Sequence, residues 1–418
     1  MSGSARGRVL AWLAVLLPAL GAAAESDNHT ELSGSLRLDY FSSSRALDDV
    51  RNVWGVATEI QMQRAFSDSE RVRIEARLVR EDVTRASRGH SRLIDGYWSK
   101  TGERVDLRLG QQKIRWGKAD GINPTDFFTP IDYTVLLPLE SDRYLSVPAA
   151  RADVHLSDAD TLSLVAAPGF TRSRLPWPAT APVTVTEERP GAWERVQAGA
   201  RFLRTGENLD WSVSAFRGWS TLPTLSFSGI AADGTPQYLR SYPAADGVGA
   251  DLARNFGKWG FRAELAYTHL KVADDRQPVA SNYFLVSGVD RSIDDWNINV
   301  QLLLRYTPDY RATNAFSDPA QQFAAVQNAI VYNQVNRWTS GATARVAANW
   351  WHETLRTEVL TIAFFDPTNY LIRPLATYAL SDQQKLLIGG EYYAGDDLSF
   401  FGAFKRNRTV FVEFQQFF

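Results

Sequence analysis

Arginine is the residue whose type and spacing point most directly to chemistry in this sequence. Arg71, Arg73 and Arg77 occupy alternate positions of a segment whose intervening positions, such as Val72 and Leu78, are apolar. A guanidinium offers a rigid fork of donors to a carboxylate or a phosphate, and several in a row attract anions. The arginines assigned to this same face along the chain are Arg71, Arg73, Arg77, Arg108, Arg151, Arg201, Arg262, Arg305, Arg345, Arg356 and Arg373.

Acidic residues on this face give the arginines a second interpretation. Fewer acids than arginines share the alternation, namely Glu75, Asp106, Asp153, Glu264, Glu358 and Glu413. An arginine that forms an ion pair with one of them braces the wall instead of meeting a solute. We therefore expect many single arginines to be structural, and the face as a whole to be net basic with a mild preference for anions.

The elements that position these side chains are strands in which polar and apolar residues alternate. Trp296, Ile298 and Val300 lie on one face of such a segment, and Asn297 and Asn299 lie on the other. A soluble sandwich also alternates, but it does not usually line its interior with arginine and glutamate. Apolar residues facing lipid and charged residues facing a water-filled lumen are typical of a transmembrane barrel. The predicted fold class is all-β, an antiparallel transmembrane β-barrel.

The links between strands alternate in length, and this parity gives the strand count. Turns on the periplasmic side of such barrels are short, and loops on the outer side are longer. Counting on this basis predicts 18 strands, with 16 as the alternative because segments 160–167 and 281–292 alternate weakly. Segment 318–336 has helical spacing and is expected to form a helix in an outer loop. Short links are predicted at 67–70, 101–103, 158–160, 206–208, 257–260, 294, 351–353 and 381–383, and near Pro367 on the outer side.

The N-terminus predicts export. Arg6 and Arg8 precede an apolar run that ends at Leu20 and is followed by small residues, which is the order of a secretory signal peptide. We expect residues 1–24 to be removed and residues 25–418 to form one barrel domain. The 13 Trp, the 12% of aromatic residues and the absence of cysteine fit a barrel with aromatic girdles and without disulfides. A formal net charge of −2 argues against nucleic-acid binding.

The stretch from Gly117 to Arg143 is the least strand-like part of the predicted barrel. Its glycines and prolines interrupt regular structure, and its aspartates recur in turns. We predict that residues 117–143 fold inward and narrow the lumen, because their apolar side chains need a surface to bury against. The alternative is that the segment packs on the barrel rim. The polar residues offered to a passing solute would be Lys118, Asp120, Asn123, Asp126, Asp132 and Arg143.

Within this stretch the sequence resembles a group of poorly characterised, porin-like outer-membrane barrels of Gram-negative bacteria. The resemblance rests on Arg-Trp-Gly at 115–117, Asp-Gly-Ile-Asn-Pro-Thr-Asp at 120–126 and Thr-Pro-Ile-Asp-Tyr at 129–133. It implies a barrel of the porin type without a known substrate. The last strand is similar to the terminal strand that the barrel-assembly machinery recognises, and Gln416 departs from that pattern. The alternating residues of this assembly signal are Val410, Val412, Phe414 and Phe418.

Catalysis and metal binding find little support in the residues. The histidines have neither metal-ligand spacing nor a Ser or Asp arrangement around them. They are His29, His90, His155, His269 and His352. No enzymatic activity, no cofactor and no metal are therefore predicted.

The sequence thus predicts a porin-like channel in the Gram-negative outer membrane, for passive diffusion of small hydrophilic and preferably anionic solutes. Two alternatives stay open. One is an outer-membrane component that exports or takes up a larger molecule, such as a polysaccharide or a lipid. The other is a plugged, non-conducting barrel with a structural or adhesive role. The expected partners are outer-membrane lipid and lipopolysaccharide, the assembly machinery and the solutes, and the sequence leaves open whether the chain forms a homo-oligomer.

Overall fold

Eighteen antiparallel strands form one closed barrel. The computed structural model describes residues 30–43, 51–79, 90–134, 139–175, 182–191, 195–272 and 279–418, so the predicted signal peptide lies outside the described residues. All strands except β8, β11 and β12 belong to the barrel. The strands are β1 (Thr30–Ser43), β2 (Asn52–Ala65), β3 (Glu70–Val79), β4 (His90–Lys100), β5 (Val105–Gln112), β6 (Val147–His155), β7 (Asp160–Ala167), β8 (Thr184–Glu187), β9 (Gln197–Arg204), β10 (Leu209–Trp219), β11 (Thr224–Ile230), β12 (Pro236–Ser241), β13 (Ala244–Phe256), β14 (Trp259–Lys271), β15 (Asn282–Ile293), β16 (Trp296–Tyr306), β17 (Trp338–Trp350), β18 (Leu355–Phe365), β19 (Thr368–Ser381), β20 (Gln384–Gly395) and β21 (Thr409–Phe417).

The barrel closes between its first and last strands. β1 pairs with β2 on one side and with β21 on the other, where Leu38 lies opposite Phe414. Every barrel strand therefore has two neighbours, and closure leaves no unpaired barrel edge. The predicted all-β barrel and the count of 18 are confirmed, and the alternative of 16 is wrong. Both weakly alternating segments form strands, β7 and β15.

Short turns and long loops alternate around the barrel, as the sequence predicts. The turns lie at the end where β1 begins, and the long loops lie at the other end. Link 366–367 between β18 and β19 is the short connection on the loop side. The turns on the opposite side are 66–69, 101–104, 156–159, 205–208, 257–258, 294–295, 351–354 and 382–383.

Aromatic side chains mark both ends of the outward face. On the loop side, rings from neighbouring strands β14 to β17 contact in sequence. The centroid distances are 4.6 Å for Tyr267–Tyr283, 6.4 Å for Tyr283–Tyr306 and 4.4 Å for Tyr306–Trp338. On the turn side, Trp296 lies 5.5 Å from Trp350. Between these girdles the outward residues are apolar and exposed, as expected of a surface that faces lipid.

The long loops carry a small structure of their own. β11 pairs with β12, β8 adds to β12 in parallel, and helix α1 (Pro319–Tyr332) packs on this sheet. Asp318 caps the helix N-terminus by accepting a hydrogen bond from Ala320 N at 2.8 Å, and Asn333 ends the helix in the left-handed conformation. The helix predicted within 318–336 is confirmed. Among the described residues, no helix has the length and apolarity to cross a membrane.

Candidate pore constriction

The candidate functional site is formed by the described parts of the connection between β5 and β6, residues 113–134 and 139–146, which we call the inner loop. Residues 135–138 of the predicted segment 117–143 lie outside the described residues. It contacts Asp210 on β10, Glu264 on β14, Arg345 on β17 and Glu391 on β20. β17 lies opposite β5 and β6 in the closed strand order. The inner loop therefore reaches across the lumen to the opposite wall.

Aromatic packing holds one side of the inner loop against the wall. Phe128 makes edge contacts with Trp116 at 5.2 Å and with Phe216 of β10 at 4.9 Å, and Phe127 stacks on Phe216 at 5.5 Å between ring centroids. Gly247 on β13 makes room for this cluster, since a Cβ there would lie 2.5 Å from Phe127. Phe127 and Phe128 thus find on the inner face of the barrel the burial surface that apolar residues of this segment were expected to need.

The first turn of the inner loop docks on one buried carboxylate. Glu264 is 1% exposed and accepts hydrogen bonds from the backbone N–H groups of Lys118 and Ala119. It also accepts from Asn123 Nδ2 at 3.0 Å and from Thr125 Oγ1 at 3.1 Å. Four donors from the loop thus converge on one wall side chain, and hydrogen bonds to a charged acceptor are the strong ones.

Glycine is required where this turn meets the wall. Gly117 has φ of 101°, a conformation that L side chains rarely adopt, and a Cβ there would lie 2.6 Å from the carboxylate oxygens of Glu264. Two charged neighbours extend the docking: Lys118 Nζ lies 3.0 Å from Asp210, and Asp120 accepts from Arg345 Nε at 2.7 Å. The Arg-Trp-Gly and Asp-Gly runs of the sequence therefore form the turn that binds Glu264 and its charged neighbours on the barrel wall.

The remaining predicted loop residues are also held by named partners. Asp132 is fully buried and lies 3.1 Å from Arg174 and 3.5 Å from Arg92. Arg143 donates to Glu391 at 2.6 Å. The ion pairs of Asp132 and Arg143 hold the inner loop against the wall. Contact of these two residues with a solute stays a prediction.

All eleven arginines that the alternation selected lie on the inward faces of their strands. Most of them form ion pairs with inward acids. The pairs are Arg73–Glu75, Arg77–Glu59, Arg151–Asp153, Arg201–Asp251, Arg262–Asp290, Arg345–Glu358, Arg356–Glu358 and Arg373–Glu391. For Arg71, Arg108 and Arg305 the structure shows no ion pair with a described residue, and Arg108 instead lies over the ring of Tyr97 at 4.5 Å.

The inward face carries more acids than the sequence pattern assigned to it. Glu59, Asp95, Asp251, Asp290 and Glu391 were not among the predicted acids, yet all five face inward. The expectation of a clearly basic wall needs this correction, because the added carboxylates neutralise arginines strand by strand. An anion preference must therefore come from the few arginines that keep no acidic partner.

Sequence reasoning missed several charged residues at the site. Arg37 and Arg92 point inward from β1 and β4, and Arg37 alternates with Asp39, so a fuller projection of β1 would have found it. Glu140 and Asp142 lie in the irregular inner loop, where no periodicity predicts which way a side chain points. Their partners lie on strands distant in sequence.

A cavity with a volume of about 420 Å³ lies beside the inner loop, on the side of the long loops. We call it the vestibule. Its wall combines aromatic side chains of the outer loops and of the inner face, such as Phe284 and Phe401, with charged side chains of both signs. The charged residues are Arg115, Asp126, Glu140, Arg143, Arg305 and Glu391. Such a size and a wall that joins aromatic to polar side chains are typical of a small-molecule site.

Comparison with protein-family models and with curated protein sequences finds no match. Comparison with solved structures does. The chain is similar to the Pseudomonas aeruginosa outer-membrane protein OpdK, with a TM-score of 0.56 at 9% identity over 93% of this chain and 98% of OpdK. It is also similar to Acinetobacter baumannii OccAB1, with a TM-score of 0.56 at 8% identity over 94% and 97% of the two chains. The fold is that of Gram-negative outer-membrane barrels. At this identity the likeness carries the fold, which agrees with the predicted outer-membrane localisation.

Asp126 gives the inner loop of this barrel a titratable group near neutral pH. Burial raises the pKa of the Asp126 carboxyl to about 7, although Thr129 and Arg115 act to lower it. Thr129 Oγ1 donates to Asp126 at 2.8 Å, and Arg115 Nε lies 3.6 Å away. Because this pKa lies above the ordinary value of 3.8, the carboxyl favours folding below about pH 4 and loses that contribution as the pH rises through 7.

Lowering the pH from about 8 to about 6 should therefore shift the ion selectivity of the barrel lumen toward anions, because Asp126 loses its negative charge in that interval. A unit charge about 10 Å from the ion path changes a permeability ratio on the order of two-fold in water. Reversal potentials under a salt gradient measure this shift. Asp126→Asn should abolish it, whereas Asp233→Asn, an exposed residue between β11 and β12, should leave it intact. A shift that persists in Asp126→Asn contradicts the assignment.

Proposed function

We propose that this chain is an outer-membrane channel for passive diffusion of small hydrophilic solutes, with a preference for anionic ones. The barrel provides the passage, and the inner loop narrows it without closing the vestibule on its outer side. The observation that carries the proposal is the vestibule itself, a cavity on the solute path that holds Arg305 in its wall. The structural neighbours OpdK and OccAB1 have the same fold.

Arg305 supplies the preference for anions. Its Nη1 donates to the carbonyl oxygens of Tyr332 at 2.6 Å and Asn333 at 3.0 Å, and its guanidinium lies over Phe284 at 4.3 Å. Among the described residues no carboxylate forms an ion pair with it. Its charge is therefore not taken up by an ion pair, although Asp126, Glu140 and Glu391 also line the vestibule. A charge in a low-dielectric wall raises the local concentration of counter-ions.

A suitable test solute combines a ring with a carboxylate. The crystal structure of OpdK was determined with vanillate, which is such a molecule. In the present chain Arg305 stands beside the aromatic rings of Phe284 and Phe401 in one cavity. We therefore propose vanillate as a probe, with its carboxylate toward Arg305 and its ring on the aromatic wall.

Planar-bilayer recording of the refolded protein tests the proposal. We expect open-channel current with an anion-biased reversal potential, and a partial block by vanillate from the loop side. Arg305→Gln should lower the anion-to-cation permeability ratio on the order of two-fold. The matched control is Arg217→Gln, because Arg217 is highly exposed and faces outward on β10.

Two outcomes contradict parts of the proposal. A cation-biased reversal potential would remove the anion preference but keep the channel. A barrel that folds, as shown by its heat-modifiable migration in gels, but carries no current would remove the channel and favour the plugged barrel or the export component.

A further inference from the structure

Near its C-terminal end the inner loop forms a single helical turn, Glu140–Arg143, whose charged side chains reach five strands of the wall. Glu140 lies 3.0 Å from Arg345 on β17 and 3.6 Å from Arg373 on β19. Arg143 lies 2.6 Å from Glu391 on β20. Asp142 reaches β1 and β3. This turn is the second point, besides Glu264, at which charge ties the loop to the barrel.

Asp142 bridges two buried arginines. One of its oxygens lies 2.8 Å from Arg37 Nη1 and the other 2.7 Å from Arg77 Nη2. Arg37 and Arg77 are each 3% exposed, and Asp142 is 8% exposed. The backbone carbonyl of Asp142 also accepts from Arg92 Nη2 at 2.6 Å. Burial alone would raise the pKa of the Asp142 carboxyl, but Arg37 and Arg77 hold it below its ordinary value, so the bridge is ionised at neutral pH.

The wall keeps its own ion pairs when Asp142 is taken away. Arg37 also binds Glu413 at 2.9 Å, and Arg77 also binds Glu59 at 3.1 Å. Both of these acids belong to barrel strands. Of the three carboxylates that share the two arginines, Asp142 is thus the one that the loop contributes. Its removal is expected to free the loop without leaving either arginine alone.

We propose that Asp142 is a latch, a contact that holds the inner loop at its second docking point and so sets the aperture of the constriction together with Glu264. We further propose that the gap between Arg37 and Arg77 is a carboxylate site that Asp142 occupies from within. This proposal rests on the channel function proposed above. A carboxylate between two guanidinium groups makes charge-assisted hydrogen bonds in a site shielded from solvent. A small free carboxylate has the same chemistry, so it should fill the gap once the side chain of Asp142 is gone.

Chemical rescue in planar bilayers tests the site. Asp142→Ala should raise the frequency of transitions between current levels by about tenfold or more, because loss of a buried ionic contact shifts the docking equilibrium of the loop. Adding acetate should return the frequency toward that of the wild type, whereas equimolar acetamide should not. Asp142→Asn keeps the size of the side chain and should show the same defect. If acetate and acetamide act alike, the carboxylate site is wrong.

Asp246→Ala is the matched control for charge loss. Asp246 also bridges two cations, Arg217 and Lys271, each at 2.8 Å, but on the exposed outer surface. We expect wild-type current transitions in this variant. Equal effects of Asp142→Ala and Asp246→Ala would overturn the latch.

A second readout does not depend on conduction. Ser146 is 5% exposed at the end of the inner loop, and the chain contains no cysteine, so Ser146→Cys introduces a single thiol. Its rate of modification should rise about tenfold or more when Asp142→Ala is added. If the wild-type barrel carries no current but Asp142→Ala still raises the modification rate of Ser146→Cys, the channel function is refuted and the latch is supported. An unchanged rate would refute the latch, whatever the current.

Discussion

Replacing Glu413 by alanine should lower the free energy of unfolding of the barrel by about 3–5 kcal/mol, because two buried hydrogen bonds between charged groups are lost, each worth about 1.5–3 kcal/mol. Glu413 on β21 accepts two hydrogen bonds from Arg37 on β1, at 3.0 Å to Nε and 3.1 Å to Nη2. The side chain of Glu413 is 0% exposed and that of Arg37 is 3% exposed. This pair crosses the seam where the last strand meets the first, so its loss weakens closure of the barrel.

Urea unfolding followed by tryptophan fluorescence measures the effect in detergent or lipid. The matched control is Glu70→Ala, because Glu70 pairs with Lys100 at 2.6 Å in an exposed position between β3 and β4. An exposed pair contributes at most about 1 kcal/mol. If Glu413→Ala and Glu70→Ala shift the unfolding midpoint equally, the Arg37–Glu413 pair contributes no more to the stability of the barrel than an exposed ion pair does.

Replacing Glu264 by alanine should undock the first turn of the inner loop and raise the single-channel conductance and its noise. Four hydrogen bonds from the loop end on this carboxylate. A hydrogen bond to a charged group is worth about 1.5–3 kcal/mol, so the loss of even two of them shifts the docked population on the order of 100-fold. The conductance should rise because an inner loop that leaves the far wall no longer spans the lumen.

Two variants make this result specific. Glu264→Gln keeps the size of the side chain but offers one acceptor oxygen in place of two, so its conductance should lie between those of the wild type and Glu264→Ala. Asp153→Ala removes an inward carboxylate whose partner is Arg151 on the same strand, and it should conduct as the wild type does. Unchanged conductance in Glu264→Ala would contradict a docking role for this residue.

The strands of this protein follow from local patterns in the sequence. Alternation along Val72 to Leu78 and along Trp296 to Tyr306 sets which side chains face lipid, because successive residues of a strand point to opposite sides. The same rule placed all eleven selected arginines on the inward face. Link lengths gave the strand count, and helical spacing gave α1. Each of these properties depends on neighbours within a few residues.

What an inward side chain does was decided only by the tertiary structure. Arg201 meets Asp251 and Arg262 meets Asp290, across strands whose register one sequence does not fix. These partners make most of the arginines braces of the wall, which is the role that the sequence analysis expected for many single arginines without being able to name their partners.

The inner loop shows most clearly which properties follow from local sequence and which depend on the tertiary structure. Its glycines and prolines predict an irregular segment, and its apolar residues predict burial. That Glu264 receives the turn at Gly117, and that Asp142 lies between Arg37 and Arg77, depends on strands far away in sequence that closure of the barrel brings together. Backbone periodicity specifies the barrel wall; the contacts that set its aperture arise only when the chain closes around the loop.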